Sequence, residues 1–365
     1  MADAARNERT RRHVNTSPYP CSPARPRRPH TQRAGRLAAV PRRRDRRSRR
    51  GFTSVRDVGG VDRGLVRALD EGLVLGPRVQ YAGRMISQTG GHGDTRGLNE
   101  QHLGCHCEEA GIAVIADGVD QVRWAAREQL RRGASFLKLT ASGGVASPHD
   151  DISSVQYTEE EIRAAVVEAA NANTYVTVHA YHPRAIQQAL RAGVGCVEHG
   201  NLLDEETAAL MKASGAWLVP TLVTYELLAQ QGAAAGLGEA SLAKIAEVRD
   251  GGLAAYALAA RSGIPMALGT DLLAEMEVAQ SQEFLLRAQV APSARVVQEA
   301  TCHGARLMGW EGKAGTLQIG AWADVLVVDA NPLEDVRILA DPQTHLRAII
   351  KGGQVVPPVA PSEEG

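Results

Sequence analysis

Two histidines each close a short run of strand-forming residues. His179 ends the β-branched run Tyr175-Val-Thr-Val-His179, and His199 ends Val194-Gly-Cys-Val-Glu-His199, with a helix-like segment between them. Together they make one βαβ unit. If that unit belongs to a parallel barrel, both imidazoles face the C-terminal rim, where the catalytic groups of such barrels sit. A lone strand-end histidine is most often an ordinary polar residue. A pair of them, with Lys138 and Asp271 at two further strand ends, is a set of metal-ligating and proton-handling types. Crowding in a barrel mouth strips water from a lysine, lowers its pKa and makes the neutral amine accessible. A neutral amine can add carbon dioxide, and the carbamate is then a carboxylate on a long arm, able to bridge two divalent cations. His179 and His199 would bind one of these, and Asp271 would bind the other or accept a proton from the attacking water. Paired metals generate hydroxide near neutral pH and polarise a carbonyl, so the pattern points to hydrolysis.

The elements that must position these residues follow in order from Gly51. Residues 52–58 read as a strand, 61–71 as a helix closed by Gly72, and 78–86 as the next strand. A long polar loop, 87–116, carries Gly90-Gly-His-Gly-Asp94. Residues 117–132 read as a helix and 135–141 as the strand that holds Lys138. After the loop 142–156, Thr158 with Glu161 three residues on has the form of a capping box. The central βαβ unit is followed by a helix over 204–214, a strand over 216–221, an Ala-rich helical stretch over 225–262 and a strand over 265–271. Strands alternating with helices imply a parallel sheet, and this many with no Gly-x-Gly-x-x-Gly turn favour a (β/α)8 TIM-like barrel lacking its first strand. Beyond Met308, residues 315–329 and 346–356 read as short strands with turns and no helix between them, a small and incomplete β-sandwich domain. The expected divisions are 1–50, 51–310 and 311–358. The small sheet has too few strands to stand alone and needs partners from elsewhere in the chain.

Zero formal charge over 365 residues hides an asymmetry: residues 1–50 hold 16 Arg and no Lys against three acids, a local +13 that the remainder balances. Nucleic acid is therefore not an expected partner of the acidic body. The first 50 residues show no helical or alternating period and should carry little regular structure. They can be read as an anion-binding tail, an Arg-rich targeting segment or a non-native start. Five cysteines, an odd number, with no apolar leader argue against a disulfide framework and point to the cytoplasm. Gly104-Cys-His-Cys107 lacks a partner pair at zinc-finger spacing and reads as loop. No apolar run approaches the length of a membrane span.

Five segments, taken in order, resemble the metal-dependent amidohydrolase superfamily: Phe136-Leu-Lys-Leu-Thr-Ala-Ser-Gly-Gly144, Val178-His-Ala-Tyr181, Val197-Glu-His-Gly-Asn201, Leu268-Gly-Thr-Asp271 and Gly320-Ala-Trp-Ala-Asp-Val-Leu-Val-Val328. More narrowly they are similar to the imidazolonepropionase-like branch that includes Xaa-Pro dipeptidases. The resemblance implies a carboxylated Lys138 as bridging ligand, His179 and His199 on the second metal, and Asp271 as ligand and general base. It further implies that Tyr181 and His92 hold the scissile carbonyl or a substrate carboxylate. The expected cofactor is a divalent metal, zinc first, as one or two ions. The expected substrate is a small amide, a dipeptide or an N-acyl amino acid, and further copies of the chain are an open expectation as partners.

One departure bears on all of this. The superfamily opens its barrel with a strand ending in His-x-His that supplies two ligands of the first metal, and this sequence contains no His-x-His: His13 and His30 are isolated. That strand would stand where the Arg-rich segment lies, which favours the non-native start among the three readings. The first metal would keep only Lys138 and Asp271 from the protein. The alternative reading is a catalytically impaired barrel scaffold with a basic anion-binding tail, and metal count separates the two.

Overall fold

Among the described residues, eight short parallel strands and the helices that follow them build the body of the molecule. The computed structural model describes residues 50–97, 99–100, 106–147, 150–234, 236–272 and 274–356. The first 49 residues, with His13 and His30, lie outside the described residues, as do Gly104 and Cys105 of the cysteine motif.

Strand β1 (Ser54–Asp57) pairs in parallel with β2 (Arg78–Tyr81). The strand expected over 78–86 is divided, because β3 (Met85–Ser87) resumes only after a break in which Gly83 takes φ +75°. The expected loop 87–116 is not all loop: it contains a short helix, His106–Glu109, and a strand, β4 (Ala113–Ile115), that pairs with β3. From β3 the sheet continues through β5 (Leu137–Thr140), β6 (Val176–Ala180), β7 (Cys196–His199) and β8 (Trp217–Val219), each parallel to the last. These parallel strands with intervening helices build the expected TIM-like barrel.

Residues 265–271 were expected as a full strand, but only Met266 bridges to Leu218. The reason lies in competing partners. The Ala267 carbonyl accepts from the Arg287 side chain and the Leu268 N–H bonds the Glu299 carbonyl, so the ladder groups are claimed from outside the sheet. Arg287 itself is fully buried between Glu283 and Glu299, at 2.8 and 2.7 Å, and also donates to the Pro220 carbonyl at 2.7 Å. This ion cluster ties the last barrel segment to the helices behind it.

The single helix expected over 225–262 is two: Leu222–Gln231 and Glu239–Ser262. Gly232 caps the first, Gly238 stands at the head of the second, and Gly236 between them is left-handed (φ +88°). The capping box is formed as expected. Thr158 Oγ1 accepts from Glu161 N, and the Glu161 carboxylate accepts from Thr158 N, at the head of the helix Glu159–Asn171.

The main apolar core lies between sheet and helices. Leu137, Leu139, Val176, Val178 and Val197 point into it and meet Ile162, Ile186, Ala189 and Met211 of the helices. The alternating residues, Lys138, Thr140, Thr177, His179, Cys196 and Glu198, therefore point into the barrel. The small sheet has the antiparallel order β11 (Gln354–Val355), β10 (Leu346–Lys351), β9 (Val325–Val328). Arg78 of β2 pairs with Asp324, and Lys351 donates to the Gly76 carbonyl at 2.6 Å. Barrel and small sheet are parts of one compact unit. No helix among the described residues is long and apolar enough to cross a membrane.

Candidate active site

Register alone places Thr140 beside His179, His179 beside Glu198, and Ala180 beside His199. By strict alternation His199 should point outward with Val197. It does not, because its backbone is left-handed at φ +75°, which turns the ring back into the barrel, with its centroid 4.7 Å from that of His179. Asp271 shares this conformation, φ +49°. Only two other non-glycine residues among those described, Tyr157 and Asn173, have positive φ.

Four rings now converge. His92 stacks on His179 at 4.1 Å, Tyr181 meets His179 edge-on at 4.6 Å, and Tyr181 lies 5.4 Å from His199. Tyr225 closes the group. Its hydroxyl donates to that of Tyr181 at 2.9 Å, which leaves the Tyr181 O–H free to donate elsewhere. Burial pushes both phenols above the ordinary tyrosine range, so they stay protonated donors.

The two imidazoles are held by opposite nitrogens. His179 Nε2 lies 3.1 Å from the Gly143 carbonyl, and His199 Nδ1 lies 2.8 Å from Thr221 Oγ1. The engaged nitrogen in each case fixes ring orientation, and Nδ1 of His179 and Nε2 of His199 are left to face a ligand. Burial holds the pKa of both rings well below the usual histidine value, with Lys138 and His92 adding to the effect on each. Neutral imidazole is the metal-binding form.

Lys138 is buried at 4% exposure. Burial lowers its pKa, Arg56 lowers it further, and Glu198 and Asp271 oppose them. Beneath it, Arg56 reaches across the barrel to Glu198 at 2.5 Å and to the Tyr175 hydroxyl at 3.3 Å, while Thr177 also donates to Glu198 at 2.5 Å. This buried pair forms a charged floor under the lysine. Asp271 opens onto solvent-accessible space yet is crowded by protein on the other sides. That crowding pushes its carboxyl up to about 6, with Glu198 and Asp57 adding and Lys138 opposing.

The structure thus brings His92, His179, Tyr181 and His199 into direct ring contact, with Lys138 and Asp271 within electrostatic reach. No three His, Cys, Asp or Glu side chains among the described residues form a metal-holding group. A third donor beside the imidazole pair would therefore be Lys138, whose depressed pKa and buried surroundings suit the neutral amine. On that ground the residues fit one divalent cation with nitrogen and oxygen donors.

Sequence reading missed Tyr225, Thr221, Glu198, Arg56, Ser147, Asp150 and Lys244. Thr221 could have been found by the strand-end rule that picked out His199. Glu198 and Arg56 were accessible from strand parity. The Gly143-Gly144 pair also has a role that a sequence hides: a Cβ on Gly144 would overlap the His92 ring, and one on Gly143 would overlap the Asp151 carbonyl. Gly144→Ala is expected to displace His92 from its stack on His179, visible in a crystal structure of the variant, with the rest of the barrel unchanged.

Comparison with known proteins decides the family. The amidohydrolase family model matches residues 47–356. The chain belongs to the amidohydrolase family. Ochratoxinase from Aspergillus niger is 36% identical over 318 residues, covering 84% of this chain and 65% of that protein. Its solved structure superposes with a TM-score of 0.78 over 90% of this chain and 77% of that one. A prolidase solved with N-methylphosphonate-L-proline is 46% identical, with a TM-score of 0.85 over 88% of this chain and 80% of that one. A Xaa-Pro dipeptidase with bound methionine is 29% identical, with a TM-score of 0.80 over 91% and 81%. This family member spans about two thirds of the length of the curated relative it matches.

Proposed function

We propose that the chain is a metal-dependent hydrolase of C–N bonds in small amides, dipeptides or N-acyl amino acids. The observation that carries this reading is the imidazole pair: two neutral rings in contact at 4.7 Å, each anchored through the nitrogen that leaves the other free. The prolidase relative supports the substrate class, since its ligand N-methylphosphonate-L-proline carries a tetrahedral phosphorus on a proline nitrogen. That is the shape an amide carbon passes through when water adds to it.

His179, His199 and a carboxylated Lys138 would hold the cation, with zinc expected. When bound, the cation supplies Lewis acidity toward water and toward the scissile carbonyl. Tyr181 donates its O–H to the substrate's oxygen as negative charge develops there, with Tyr225 buttressing it. Asp271 accepts a proton from the attacking water and returns it to the departing amine, so no net proton is gained or lost. Arg56 and Glu198 keep the lysine arm in place from below.

Two measurements test the reading. Purified protein incubated with zinc and bicarbonate should cleave N-acyl amino acids or dipeptides, lose that activity on chelation and regain it on metal return. Its kcat/KM should fall as pH drops through about 6, because a protonated Asp271 cannot take the proton of the attacking water. Cleavage untouched by exhaustive chelation would exclude the metal role. A second reading, a barrel with impaired chemistry, is favoured because no three His, Cys, Asp or Glu side chains among the described residues form a metal-holding group. Stable metal binding without turnover of any such amide would select it.

A further inference from the structure

Lys244 stands on the helix Glu239–Ser262 and turns its ammonium onto the loop 142–156. It donates to three of the loop's carbonyls: Gly144 at 2.9 Å, Ser147 at 2.8 Å and Asp150 at 3.0 Å. An ammonium has three protons to give, so the group is fully used and all of it goes to backbone. A lysine on a helix ordinarily keeps its charge in water, because fixing so long a side chain costs rotamer entropy. Three bonds to one short stretch of chain offset that cost and fasten the loop to the helix.

What the loop touches gives the fastening its use. Val145 and Ile152 of the loop pack with Tyr181, Tyr225, Ile245 and Val248 in one buried apolar cluster, so the loop and the helix that carries Lys244 enclose the two phenols together. Tyr181 N donates to Ser142 Oγ at 3.2 Å, and at the far end of the same residue the Val145 N–H bonds the Tyr181 hydroxyl. That N–H and the Gly144 carbonyl belong to one planar peptide group, whose carbonyl end Lys244 holds. A cation on the carbonyl also polarises the peptide and strengthens its N–H as a donor. The preceding peptide is held as well, since the Asp150 carboxylate accepts from Gly144 N at 3.1 Å. Tyr225 donates to the Tyr181 oxygen at 2.9 Å. Both lone pairs of that oxygen are then occupied, and its own proton remains for a third partner.

We propose that Lys244 is a positioning residue for Tyr181: acting through the Gly144–Val145 peptide, it fixes the phenol so that its O–H is aimed at the substrate oxygen. The inference rests on the hydrolytic reading for its purpose but not for its geometry.

Magic-angle-spinning 13C NMR of full-length protein labelled at tyrosine Cζ tests the geometry, with Tyr181→Phe identifying the Tyr181 signal. Lys244→Met should shift that signal and leave the signal of Tyr256, in the main core, where it was. In steady-state kinetics Lys244→Met should lower kcat about tenfold, less than the roughly 100-fold that outright loss of a transition-state donor costs. KM should change by less than about twofold, the pattern of an interaction made only in the transition state. In the Tyr181→Phe background the same substitution should cost less than about twofold, because residues that act as one unit do not add. A Tyr181 signal unmoved by Lys244→Met, or a full tenfold loss persisting in the double variant, would overturn the proposal. So would a crystal structure of the unaltered protein with the Lys244 ammonium beyond hydrogen-bonding distance of the Gly144 carbonyl, whether or not the variants fold. A Tyr181 signal moved by Lys244→Met in a protein that cleaves no amide would uphold the positioning and refute the hydrolytic reading alone.

Discussion

His179→Asn is expected to lower kcat/KM for amide cleavage by more than about 100-fold. Loss of a partner that merely supports a ligand commonly reduces activity or metal affinity by about 10–100-fold, so loss of the ligand itself should exceed that range. Asparagine is polar and smaller, and the site is bounded by rings on three sides: His92, Tyr181 and His199. The fold should survive, because the apolar core lies on the other face of β6. Steady-state kinetics and metal content, measured on the same preparation, check this together: activity and bound metal should fall in step. A variant that keeps its metal and its rate would remove His179 from the centre.

Arg287→Met is expected to destabilise the fold by about 3–5 kcal/mol, the usual result of removing one partner from a buried ion pair. Arg287, Glu283 and Glu299 have side chains with no solvent exposure. Glu299 would keep Arg295 at 2.9 Å and the Tyr256 hydroxyl at 2.8 Å, but Glu283 would retain only backbone donors, among them Val223 N at 2.9 Å. The Ala267 and Pro220 carbonyls would also lose their donor. Urea unfolding followed by circular dichroism should show the lowered midpoint. Replacing Glu283 by Leu in the same variant should recover part of the loss, because the stranded carboxylate goes with it. A single-variant loss below about 1 kcal/mol would mean that water or a neighbour takes over the arginine's role.

The central βαβ unit was legible because its signals are local. A β-branched run, Pro183 at the start of the helix and Gly193 in left-handed conformation (φ +96°) at its end all lie within 25 positions. The same holds for the Thr158 capping box. Residues 265–271 failed as a strand for the opposite reason: the groups that disrupt the ladder come from Arg287 and Glu299. The site divides in the same way. Lys138, His179, His199 and Asp271 announce themselves as chemical types at strand ends. Lys244 does not, since the carbonyls it binds lie about 100 positions earlier and nothing in an Ala-rich helix marks one lysine for that purpose. Strand parity also misplaces His199, because alternation assumes an extended backbone and this residue has left it.

That departure has an evolutionary side. Left-handed backbone at a residue other than glycine is strained by about 1 kcal/mol or more, and here it falls on His199 and Asp271. A selection for thermal survival alone, blind to turnover, would therefore be drawn toward glycine or asparagine at these two positions. Drift toward silence is downhill here, and only continued demand for the chemistry would keep a histidine and an aspartate where the chain turns.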